Sequence, residues 1–178
     1  MTTPTPDTDA PLTNFTHCHE GIVSHLDRLG ELPALLAPAA RARKVAADTV
    51  AFFRAAVYEH HAEEERELFP AVLQSAHKGE ERERVKRLTD QLTREHRDLE
   101  ARWTQLEPQL KKLAKGQPTD VEGEAIARLV QLYKAHAKFE EDEFLPLSEV
   151  ILGRNSNHMA ALGWSLHIRH APPVAGHI

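Results

Sequence analysis

One cysteine, 8 glycines and 6% aromatic residues are what this 178-residue sequence has little of. The lone Cys18 cannot close an internal disulfide, and the opening MTTPTPDTDAPLT has neither the basic start nor the apolar stretch of a secretory signal. A reducing, cytoplasmic setting is expected. No window approaches the roughly 18 consecutive apolar residues that a spanning helix needs, so no membrane association is expected. Nor are the cations gathered: 22 Lys and Arg are interleaved with 27 Asp and Glu, giving a net charge of -5. Without a basic patch, nucleic acid is not an expected partner. With 41% hydrophobic residues, the chain has enough material for one domain and its core.

What is abundant is histidine. The chain carries 12, where ordinary usage would give about four. The scarce helix breakers fall at ELPALLAP (31–38), HKG (77–79) and AKGQPTD (114–120). Between them apolar residues recur at three and four, as in Leu88, Leu92, Leu99, Trp103, Leu106, Leu110 and Leu113, which is a helical period. The spacing predicts helices over 14–30, 39–76, 79–115 and 119–152, the last capped by Thr119 or Asp120. Short loops between long amphipathic helices predict an all-α, antiparallel four-helix bundle over 14–152. The Thr- and Pro-rich residues 1–13 read as a disordered tail, and 153–178 as an additional C-terminal helix and tail.

One frame is written twice. HHAEEERELFP (60–70) and HAKFEEDEFLP (136–146) superpose His60 on His136, Glu64 on Glu140 and Pro70 on Pro146. Histidine followed by glutamate at four is weak evidence by itself, since this composition yields about 1.3 such pairs by chance. The full frame, on two helices, is far more specific. It also favours His60 over its neighbour His61, because only His60 stands ten residues before its proline. Each proline is expected to bend its helix or end a turn just beyond the frame.

His96 occupies a place in the leucine stripe of the third helix, His136 follows Val130 and Tyr133, and His19 extends the stripe of Ile22, Leu26 and Leu29. At about 1.5 Å of rise per residue from the loops, His19, His60, Glu64, His96, His136 and Glu140 share one layer of the bundle. Burying four histidines and two carboxylates costs several kcal/mol per charge unless they are paired or bind metal. Two divalent ions would bring that layer close to neutrality.

At this point the sequence resembles the hemerythrin-like HHE cation-binding family: a histidine on the first helix, HxxxE with a following Phe-Pro on the second, Glu95-His96 on the third, and HxxxEE with Pro146 on the fourth. The resemblance covers about residues 14–150. It implies an up-down-up-down bundle holding two iron ions in a non-heme, oxo- or hydroxo-bridged centre, with metal ligands His19, His60, Glu64, His96, His136 and Glu140. It further implies binding of O2, NO or peroxide for sensing, storage or detoxification. The oxygen carriers of the family place two histidines four apart on the third helix, whereas this chain has Leu92 and Glu100 around His96. Glu100, His25, His167, His170 or water is left to complete the coordination. A di-iron oxidase or peroxidase, and an iron-responsive helical interaction module, are the alternative readings.

Overall fold

The computed structural model describes the backbone of residues 10–154 and the side chains of residues 21–154. Every regular element among them is helical. Three helical runs succeed one another. The first, α1 (10–75), comprises Ala10–Phe52, a π-helical turn Phe53–Val57, the segment Tyr58–Glu63, a second π turn Glu64–Leu68, and Phe69–Ser75. The second, α2, is Glu80–Ala114. The third, α3 (123–153), comprises Gly123–Phe139, a π turn Glu140–Phe144 and Leu145–Gly153.

Two of the expected connections are real, and glycine makes both. Gly79 adopts φ 104° at the start of α2, and Gly116 adopts φ 68° at its end. The Gly116 N–H bonds to the Leu113 carbonyl and the Gln117 N–H to that of Lys112, a left-handed closure that satisfies the last turn. The connection expected at 31–38 is instead helical, Pro33 and Pro38 lying inside Ala10–Phe52. The physical reason lies in the flanking residues. Leu and Ala lead the helix propensities, no Asn or Asp offers a competing turn, and Gly30 has no positive φ with which to end a helix.

The cap of α3 differs too. Glu122 precedes its first turn without a side-chain bond. Thr119 donates instead to the carbonyl and side-chain oxygens of Gln109 on α2, at 3.3 and 2.6 Å. The tail proposed for 1–13 meets α1 from Ala10 onward, while 1–9 and the further helix expected within 153–178 lie, apart from Gly153 and Arg154, outside the described residues.

The chain divides into two compact units, Met1–Lys44 and Val45–Ile178. Within the first, described from Ala10, the backbone is helix alone; Ile22, Leu26 and Leu29, the stripe expected to face a core, are exposed. The second holds two apolar clusters. One gathers Leu68, Phe69, Val72, Val85, Leu92, Phe144 and Ile151; the other gathers Ala46, Leu99, Trp103, Leu106, Leu110 and Leu129. Trp103 stacks on Phe53 with ring centroids 3.8 Å apart. Each helix contributes to both clusters, and each places its polar residues in the interval between them: 57–67 on α1, 93–98 on α2 and 130–143 on α3. Among the described residues no helix is long and apolar enough to cross a membrane.

Candidate metal centre

The interval between the two clusters holds His61, Glu63, Glu64, His96, His136 and Glu140, all buried. Three of these are imidazoles that pack ring to ring. His61 and His96 stack at 3.9 Å with planes 5° apart, and His136 meets His96 edge-on at 4.9 Å. Phe69 and Tyr133 wall the group, with ring centroids about 6 Å from His96 and His61.

Each of the three rings has one nitrogen anchored to a carboxylate. His61 Nδ1 lies 3.2 Å from Glu100 Oε1, His96 Nδ1 2.8 Å from Glu65 Oε1, and His136 Nδ1 3.0 Å from Glu95 Oε2. An ionised carboxylate can only accept, so in each pair Nδ1–H donates. That fixes the tautomer and leaves the lone pair on Nε2. The Nε2 atoms of all three residues are buried without a hydrogen-bond partner. One ring nitrogen from each of the three residues lies within 4.8 Å of the other two. Arg97 backs two of the anchors, its guanidinium bonding both Glu65 and Glu100.

A second group comprises His60, Glu64 and Glu140. Glu64 joins the two: its Oε1 stands 3.2 Å from His60 Nε2, and its Oε2 stands 3.3 Å from His96 Nε2. The latter is an ion-pair distance without the geometry of a hydrogen bond, and Glu64 Oε2 is itself buried and unpartnered. With the Nδ1 proton of His96 committed to Glu65, two lone pairs face each other across that gap. Only a second proton or a cation can reconcile them.

The electrostatics follow from this crowding. Burial, together with the neighbouring His96, pushes the His61 imidazole down to about 3, so it stays neutral. Burial also lowers His136. His96 moves the other way: burial opposes its charge, but Glu64 and Glu65 outweigh burial and raise it. Burial and a shared hydrogen bond with Glu64 push the Glu140 carboxyl up to about 9. Burial would raise Glu64 as well, yet the adjoining His96, Glu140 and His60 leave it lowered. Without a cation, then, the layer keeps a proton on Glu140 and draws His96 toward its charged form, both of which metal ligation would oppose.

Of the residues expected from the sequence, the structure brings His60, Glu64, His96, His136 and Glu140 into these two groups. His60 is at the margin, its side chain 48% exposed. His19 lies in α1, its side chain outside those described. His25 donates from Nδ1 to the Gly21 carbonyl at 2.9 Å in the first unit. Glu100 anchors an imidazole, while His167 and His170 lie outside the described residues.

The residue the proline frame passed over is His61, buried at the centre of the three-imidazole group. The signal was present: Val57, His61, Glu64 and Leu68 recur at four, three and four and form one buried stripe. Glu95, too, had no assigned part and proves to hold His136.

The prolines act as expected, through π turns. Pro70 and Pro146 lack the N–H that would bond four residues back, and the preceding Phe69 and Leu145 N–H groups bond five back, to the carbonyls of Glu64 and Glu140. Glu64 and Glu140 thus each stand at the first residue of a π turn.

A family model described as hemerythrin HHE cation binding domain matches residues 10–148 of the chain. No curated protein and no solved structure matches it.

Proposed function

The chain belongs to the hemerythrin HHE cation-binding domain family, and from that premise we propose that it carries a non-heme di-iron centre which binds O2, NO or peroxide in sensing, storage or detoxification. The observation that carries this reading is the set of unpartnered Nε2 atoms on His61, His96 and His136, each ring turned by a carboxylate on its far nitrogen. Packing offers no reason to aim three buried lone pairs at one space; metal ligation does. The residues present therefore fit the cation that the family implies. His61, His96 and His136 would hold one ion, His60 and Glu140 the other, and Glu64 would lie between them.

Reduced iron in such a nitrogen and oxygen setting supplies electrons to a small oxidant or binds NO. The protein's own part is to hold the rings in one tautomer, to keep bulk water from the layer with Phe69, Phe144 and Leu92, and to leave a way in. A surface groove lined by Glu95, Leu132, Ala135, His136 and Phe139 reaches the edge of the layer between α2 and α3. It is wide enough for a small ligand and places the Glu95 carboxylate along the route.

Metal analysis of protein purified without an affinity tag, paired with its absorption spectrum, tests this reading. About two irons per chain, with near-ultraviolet charge-transfer bands that change when the reduced protein meets O2 or NO, is the expected result. A chain that takes up no iron under anaerobic loading overturns it.

A further inference from the structure

Among the described residues, the buried side-chain atoms without a hydrogen bond are His61 Nε2, Glu64 Oε2, His96 Nε2, His136 Nε2 and Trp103 Nε1. Trp103 belongs to the apolar cluster beside Phe53. Of the other four, Glu64 Oε2 stands 3.3 Å from His96 Nε2, and His96 groups with His61 and His136, which together make three imidazole nitrogens and one carboxylate oxygen. That is a complete donor set for a four-coordinate ion.

Distance supports the same count. A tetrahedral ion with bonds of about 2.0–2.1 Å holds its donors about 3.3–3.4 Å apart. The His96 Nε2 to Glu64 Oε2 edge is 3.3 Å. Ligand nitrogens of the three imidazoles lie within 4.8 Å of one another, so closing the edges between them asks for ring shifts of about 1 Å at the nitrogen.

The two groups are not equally prepared. In the three-imidazole group every ring is buried, anchored at Nδ1 and packed against another ring. Ordering those rings costs little more when an ion arrives. In the second group the His60 side chain is 48% exposed, and Glu64 is shared with the three-imidazole group through its 3.3 Å approach to His96. Its donors lie within the same 4.8 Å of one another, but one stands at the solvent margin and another already serves the first group.

Resting on the metal reading above, we propose that His61, His96, His136 and Glu64 form a self-sufficient four-donor site that fills first and alone with one divalent ion of the zinc class. The chain then has a stable one-ion form, and the His60 and Glu140 side completes a two-ion centre only afterwards. Three imidazoles and one carboxylate, with no thiolate, suit zinc and cobalt(II) in four-coordination.

The test is a titration of the metal-free full chain with Co2+, followed by absorption and by dialysis with metal analysis. The first equivalent should bring the intense visible bands of four-coordinate cobalt and bind about 100-fold more tightly than the second. Zinc should displace that first cobalt. The H60A/E140Q double variant should bind one equivalent with the same bands, and H61A should lose the first step while keeping its helical circular dichroism. Two ions entering in one step that disappears in E140Q, or a first equivalent with the weak bands of six-coordinate cobalt, would overturn the one-ion site and leave the two-metal reading standing. A folded wild-type chain that takes up neither cobalt nor iron would overturn both.

Discussion

Each buried imidazole of the polar layer is held by a different carboxylate, and the three carboxylates are not alike. Glu65 and Glu100 share the Arg97 guanidinium, whereas Glu95 receives only the amide of Gln91, at 2.8 Å, besides His136. Replacing Glu95 by Gln keeps an acceptor but removes its charge, so metal affinity should fall about 10- to 100-fold with the fold intact, as read by competition with a chelating dye. The pH response of the metal-free chain belongs to the same scale. Glu140 is raised to about 9 in the folded state from an ordinary 4.5, so the folded chain keeps a proton that the unfolded chain has released. Stability therefore falls as pH rises between those values and levels off above the upper one. His96, also raised, adds a loss of the same sign. Urea unfolding of metal-free protein between about pH 7 and pH 9 should show this decline, and Glu140→Gln should leave only the smaller part due to His96. The sequence revealed most of these residues through the repeated frame. It did not separate His60 from His61, because the frame counts back from proline whereas burial follows the stripe of Val57, His61, Glu64 and Leu68. Which ring Glu65, Glu95 and Glu100 each hold was not legible for another reason: an anchor is defined by the ring it meets on a neighbouring helix, and that pairing spans 31 to 41 positions in sequence.

Two π turns at matching places on α1 and α3 set the direction of the carboxylates. An ordinary turn at Glu140 would rotate the following residues by about 100° per position, so a one-residue change of register moves every side chain beyond it. Pro146→Ala restores a donor and permits that register. The expected outcome is a loss of metal affinity of at least about tenfold while thermal unfolding shifts by only a few degrees, measured by metal titration and calorimetry side by side. Glycine at 79 and 116 made the two shorter connections legible, since only a residue without Cβ adopts those angles freely. The stretch 31–38 misled because proline is read as a breaker, while the helix-forming residues around it decide the outcome; a proline costs a helix about 3 kcal/mol, which a long run of Leu, Ala and Arg can absorb.

At the scale of the whole molecule, the second unit spends a layer of its interior on charge and imidazole between two apolar clusters. Such a layer is a liability for folding and an asset only with a cation in place. Changing His61, His96 and His136 to Leu together with Glu64 and Glu140 to Met should join the two clusters and raise the stability of the metal-free chain by about 1–4 kcal/mol, read from denaturant midpoints, while abolishing metal uptake. The all-helical character and the height of this layer were legible because loops and helical rise alone place His96 and His136 level with the 60–64 segment. The packing of the first helical segment was not, since its apolar stripe, Ile22, Leu26 and Leu29, reports amphipathicity without naming the surface it meets.

The anchored rings also have a consequence for magnetic resonance. A proton shared between an imidazole and a carboxylate is strongly deshielded, and one inside a dry layer exchanges with solvent slowly. Three such protons, at His61, His96 and His136, should appear in the zinc-loaded chain as three separate far-downfield signals, so that the tautomer of every ring can be counted directly in a form that has no colour and no unpaired electron.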